Sequence, residues 1–123
     1  MLNSSGRIGL SMDLEFLKDS IKYNDIIFNG ALTKVSNAVL ALFWVGEKAL
    51  LGTFTVTLPD GSSSSLLGDR DRQMGQILGL HITKETGLMA LVSVHIPVGL
   101  SQEAGRSLIV LIRNLLERLS KDD

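Results

Sequence analysis

A chain of 123 residues has room for one hydrophobic core and little for a second. With 45% hydrophobic residues, 20% charged residues and a net charge of -1, it is neither disordered by composition nor equipped with the basic footprint that nucleic acid requires. The absence of cysteine excludes a disulfide framework and a thiolate metal site and points to the cytosol or nucleus, and no apolar run reaches the roughly 18 residues of a membrane span.

The first segment, MLNSSGRIGLSMDLEF, lacks the uninterrupted apolar stretch of a secretory signal, and residues 1–19 are expected to be irregular at least in part. Residues 11–24 carry Leu14, Leu17 and Ile21 at helical spacing, but Ile21 and Tyr23 alternate with Lys22 and Asn24; the reading leans to strand. Three β-rich runs follow at 26–35, 37–45 and 50–58, joined by short connections, as in a meander of antiparallel hairpins. Pro59-Asp60-Gly61 has the chemistry of a turn, since proline presets φ and glycine tolerates positive φ. The serine run Ser62–Ser65 would then return with Leu66 and Leu67 as a polar edge strand.

At residue 70 the apolar period changes. Met74, Ile77, Leu78, His81 and Ile82 predict a helix over 70–86, with Asp69 as its N-cap and Gly87 at its end. Residues 88–97 read as strand, and Ser101 opens a last helix over 102–120, with Glu103 early and Arg113, Arg118 and Lys121 late. The fold class is α+β: one antiparallel meander of about six strands with two helices packed on one face, dimerising through the other.

The dimer is expected because strand 37–45 has no face fit for water. Val39, Ala41, Phe43 and Val45 alternate with Ala38, Leu40, Leu42 and Trp44. In the neighbouring strands the purely aliphatic sides, Phe54, Val56 and Leu58, and Leu88, Ala90, Val92, Val94 and Ile96, are assigned to the helices. The mixed sides are assigned to a partner, giving a predicted interface of Leu40, Leu42, Trp44, Thr53, Thr55, Thr57, Leu91, Ser93 and His95. The competing surface is the flank of the last helix, where Ile109 and Leu116 widen the apolar stripe formed by Ala104, Leu108, Leu111, Ile112, Leu115 and Leu119.

No catalytic set, cofactor site or metal site is legible. The serine run lacks the GxxxxGK[ST] pattern of a phosphate loop, and Asp69 stands where an anion would bind. His81 and His95 share no metal-ligand spacing with carboxylates, GLSQEAGRS lacks the GxGxxG spacing, and Asp69 and Asp71 point apart on a helix. Phe43 and Trp44 point to opposite faces of their strand and make no stacking platform for bases. Phosphorylation within Ser62–Ser65 is chemically open, with Arg70 and Arg72 the only basic residues beside it.

LFWVG at Leu42–Gly46 and SLLGD at Ser65–Asp69, with the elements that follow them, resemble the proteasome assembly chaperone 4 family. GTFTVTL followed by LLG is shared in outline with the related chaperone 3 family, and the resemblance covers roughly residues 20–119. It implies a non-enzymatic chaperone that pairs with a sister chaperone 3 as a heterodimer and binds 20S proteasome α subunits. It would promote early α-ring assembly in the cytoplasm or nucleus and then dissociate, with no nucleic acid and no membrane among its partners. Two other classes stay open: a roadblock-like or profilin-like homodimeric scaffold for signalling or trafficking partners, and a small-molecule enzyme built on the loop–helix junctions at 68–70 and 99–102.

Overall fold

The structure, a computed structural model, describes residues 14–122 together with the backbone of two short antiparallel strands, β1 (Leu2–Asn3) and β2 (Arg7–Ile8). The other residues before Leu14, over which segment 1–19 was expected to be irregular and a strand to begin at 11, lie outside the described residues. Strand β3 covers Leu17–Tyr23, so the end of the expected irregular segment is already ordered as strand. Then follow β4 (Ile26–Lys34), β5 (Ala38–Val45), β6 (Thr53–Thr57), β7 (Ser63–Leu67), α1 (Arg72–Thr86), β8 (Met89–His95) and α2 (Ser101–Asp122).

Six of these strands form one sheet in the order β3-β4-β5-β8-β6-β7. The α+β class, the six strands and the two helices are as the sequence predicts; the pairing is not a simple meander. Strand β8 inserts between β5 and β6 and runs parallel to β5, from Ala38 opposite Met89 to Trp44 opposite His95. The chain between β5 and β8 contains the β6–β7 hairpin and α1, ample length for the crossover that a parallel pair requires. Strand β5 is thus an interior strand, which suits its apolar residues on both sides.

Local chemistry sets the hairpins. Asn24 and Asp25 both hold positive φ, 52° and 65°, the conformation of a tight β3–β4 turn whose strands twist correctly. Between β6 and β7, Gly61 takes φ 94°, and the Leu58 N–H donates to the Ser62 carbonyl at 2.8 Å, as the Pro-Asp-Gly signal predicts.

Both helices lie on one face. Cross-strand register places Leu32, Ala41 and Val92 in one row and Phe28 and Val45 in another, all facing the helices. Helix α2 lies over β3 and β4 and buries Leu108, Leu111, Ile112 and Leu115; α1 lies over β6 and β8 and buries Leu78 and Ile82. Burying each such side chain contributes about 1.5–3 kcal/mol. At Gly30 the missing side chain is replaced by its neighbours: Phe43 and Leu115 come within 3.0 and 3.1 Å of where a Cβ would stand.

Helix α1 starts later than predicted. Asp71, not Asp69, occupies the N-cap position and makes no side-chain capping bond; its N–H donates to Thr53 Oγ1 at 3.1 Å. The chain spends Gly68–Arg70 climbing from the sheet edge onto the helix layer, with Gly68 at φ 77° and the Thr53 Cα 3.5 Å from where a Cβ on that glycine would stand. The predicted C-terminus holds: Gly87 is left-handed at φ 72° and its N–H donates to the Thr83 carbonyl at 2.8 Å.

Candidate functional site

The face opposite the helices can be read row by row from the register. Ala31, Leu42, Ser93, Phe54 and Leu67 make one row across the sheet, Thr33, Leu40, Leu91, Val56 and Ser64 the next, and Asn29, Trp44 and His95 a third. Among the described residues no helix crosses this side. Leu40, Leu42, Trp44, Phe54, Val56, Met89, Leu91 and His95 are therefore only half-buried, shielded by their neighbours on the same face. The apolar centre is flanked on β3 by exposed Lys18, Ser20 and Lys22. Such an arrangement, apolar within and polar along its β3 rim, has the composition of a binding surface.

Of the predicted interface residues, Leu40, Leu42, Trp44, Leu91 and His95 lie together on this open face. Thr53, Thr55 and Thr57 do not: they face α1 and are 6%, 0% and 0% exposed, and Phe54 and Val56 take the open side instead. The reason is on the helix. Gly75 and Gly79 lie directly over Thr55 and Thr57; a Cβ on Gly75 would stand 2.7 Å from Thr55 Oγ1, and one on Gly79 would overlap Thr57 Oγ1. So close a helix leaves room for threonine beneath it and none for phenylalanine. The glycine pair four residues apart in RQMGQILGLH was the signal that could have set the phase of β6.

Ser93 faces the open side yet is fully buried, because the segment entering β6 crosses it. Gly52 N–H donates to Ser93 Oγ at 3.0 Å, and a Cβ on Gly52 would overlap the Val94 carbonyl oxygen. On the flank of α2, Leu116 is 7% exposed and belongs to the core, whereas Ile109 is half-buried and Val110 is exposed; on α1, Ile77 and Leu80 are exposed. The buried part of the α2 stripe packs on α1 and the sheet.

Trp44 marks one end of the open face. Its indole Nε1 is buried without a hydrogen-bond partner, and its ring lines a 530 Å³ groove with Ile26, Ile27, Val45 and Leu100, with Asp25 and Glu47 also in the wall. Asn29 stiffens this end: its Nδ2 donates to the Gly46 carbonyl at 2.7 Å and its Oδ1 accepts from Ser20 Oγ at 2.6 Å, tying three neighbouring parts of the sheet together.

The 68–70 junction is tied to the end of β8, since the Arg70 guanidinium donates to the Ile96 carbonyl and stands 3.5 Å from Asp71 Oδ2. His81 lines a groove between α1 and α2 with Glu85, Arg113 and Glu117, on the opposite side of the sheet from His95. Among the described residues no three His, Cys, Asp or Glu side chains gather as metal ligands, and no helix is long and apolar enough to cross a membrane.

No family model and no curated sequence matches the chain. Its architecture, however, is that of a solved protein: a chain in the crystal structure of a novel chaperone complex for yeast 20S proteasome assembly superposes with a TM-score of 0.65 at 11% identity, covering 88% of this chain and 96% of that one. The two chains share a fold. At this identity the likeness is one of fold and not of particular side chains.

Proposed function

We propose that this chain is a proteasome assembly chaperone of the chaperone 4 type. It pairs through its open sheet face with a sister chaperone 3, and the pair holds 20S proteasome α subunits during early α-ring assembly, then dissociates. The observation that carries this reading is the fold match to the yeast chaperone complex over 88% of the chain. The sequence resemblance at LFWVG and SLLGD points the same way, and the uncovered apolar face gives the pairing a physical reason.

The mechanism needs no chemical step. Covering the open face removes Leu40, Leu42, Trp44, Phe54, Val56 and Leu91 from water at about 25 cal/mol per Å², and a partner presenting a similar face supplies the roughly 800 Å² per side of a stable complex. The heterodimer then selects subunits by shape, holding one α subunit while its bulk excludes incorrect neighbours. The reading places the chain in the cytoplasm and nucleus, where proteasome subunits assemble.

The test is light-scattering mass measurement on the purified chain, alone and with chaperone 3, followed by capture of individual α subunits. A one-to-one complex with chaperone 3 that retains an α subunit is expected. A stable face-to-face homodimer with no affinity for either would overturn the proposal and favour the homodimeric scaffold.

A further inference from the structure

Charge is unevenly placed on the two sides of the sheet. Along the six strands from β3 to β8 there is a single carboxylate, Asp19, and register turns it toward the helices, where Asn114 Nδ2 donates to its Oδ2 at 3.1 Å. On the open side the same strand presents Lys18, Ser20 and Lys22, opposite Ala31, Asn29 and Ile27 of β4. Both lysines are exposed. Lys18 has no ion-pair partner among the described residues, and Lys22 reaches Asp25, in the turn, only at 3.9 Å with both side chains largely in water, a contact of little strength. The far side of the face carries no charge: Phe54 and Val56 stand there on β6, and Ser64 and Leu67 on β7. The open face is thus apolar at its centre, cationic along one edge and without an anion on any strand.

A second copy of this chain is a poor cover for such a face. A two-fold axis between two sheets, running across the strands, sets β3 over β3 and lysine near lysine; an axis along the strands sets β3 over β7, where the lysines meet serine and leucine. Neither arrangement brings a strand carboxylate to Lys18 or Lys22.

We propose that the sister chaperone lays acidic side chains over β3, opposite Lys18 and Lys22, and that this charge match selects it over a second copy of the chain. The inference rests on the pairing proposed above and adds the chemistry of the partner's surface. Charges at the rim of an apolar contact act chiefly on the rate of encounter and on the rejection of wrong partners, and salt weakens them. The hydrophobic centre then holds the face that the lysines admit.

The test follows Trp44 emission after rapid mixing of the chain with chaperone 3, with mass measurement of the product. Association should slow about tenfold as salt rises from about 0.05 M to about 0.5 M. At low salt the double variant Lys18→Glu, Lys22→Glu should bind at least about tenfold more weakly and no longer slow with added salt, while Lys18→Arg, Lys22→Arg should behave as the unaltered chain does. Lys84→Glu, on α1 across the sheet, should change the rate by no more than about twofold. A complex whose rate ignores both salt and the double reversal overturns this inference and leaves the proposed function standing. Failure to form a complex at any salt concentration overturns the proposed function, and this inference with it. An isolated chain that forms a stable dimer at low salt, one that Leu42→Lys disperses, overturns the preference for an acidic partner.

Discussion

Gly79 lies so close to Thr57 that a Cβ placed on the glycine would overlap the threonine hydroxyl oxygen, and one turn earlier Gly75 meets Thr55 in the same way at 2.7 Å. The spacing of α1 from the sheet is therefore set by two absent side chains. Alanine at either position gains about 1 kcal/mol of helix propensity, but overpacking at such a contact costs about 1–3 kcal/mol or more. Gly75→Ala and Gly79→Ala should each lower the urea midpoint at unchanged slope. Thr55→Ala should rescue Gly75→Ala with a coupling of about 0.5–3 kcal/mol, since the Thr55 Cβ is 3.4 Å away and its hydroxyl has no partner to lose. Thr57→Ala should rescue Gly79→Ala less, because the Thr57 Cβ itself is 2.9 Å away.

Gly52 presents a harder obstacle, because its missing Cβ would meet backbone, the Val94 carbonyl oxygen, which cannot swing aside. Gly52→Ala should cost more than about 3 kcal/mol and displace the start of β6. Ser93→Ala, which leaves the Gly52 N–H unpaired beneath its loop, should cost about 1–3 kcal/mol. Thermal unfolding of the two variants checks the order.

The chain has one tryptophan, and Trp44 stands half-buried on the open face. If that face pairs with chaperone 3, the Trp44 emission should shift to shorter wavelength on mixing, with no added label. Leu42→Lys should abolish the shift while changing monomer stability by less than about 1 kcal/mol, because a lysine there keeps its charge in water. A shift that persists in Leu42→Lys would place the contact elsewhere.

Asp60 gives the β6–β7 turn a dependence on acid. Its Oδ1 accepts the Ser62 hydroxyl at 2.6 Å and the Ser62 N–H at 2.9 Å, and these bonds, the hydroxyl's first, hold its pKa below the usual carboxylate value of about 3.9. The folded pKa is the lower one, so the stabilisation is complete above the unfolded value and is lost as pH falls through the folded value. The Ser62 amide resonance should follow that titration, and in Asp60→Asn it should stay still.

Much of this structure is legible in the residues because local chemistry and tertiary packing agree. The Pro-Asp-Gly turn, the left-handed Gly87 and the stripe Leu108, Leu111, Ile112 and Leu115 each stand where period and turn chemistry put them. What sequence order hides is non-local. Strand β8 follows α1 in the chain yet lies beside β5; the apolar residues on both sides of β5 suit an interior strand but do not say which later segment lies beside it. The threonines misled for a physical reason: hydroxyls suggest a wet face, but under a glycine pair it is small volume that is selected. For the open face, Leu40, Leu42, Trp44, Leu91 and His95 were legible from alternation, while Phe54 and Val56 required knowledge of which helix lies above them.

The insertion of β8 also orders events in time. A ribosome delivers β3, β4 and β5, then the β6–β7 hairpin and α1, before the strand that joins these two groups exists. Until the segment to His95 has emerged, the flanks of β5 and β6 that will hold it are two open strand edges in separate pieces of sheet. Folding of the whole must wait for contacts between residues far apart in the chain, which makes closure slow relative to hairpin formation. The middle of the sheet is thus the last part of it to be made.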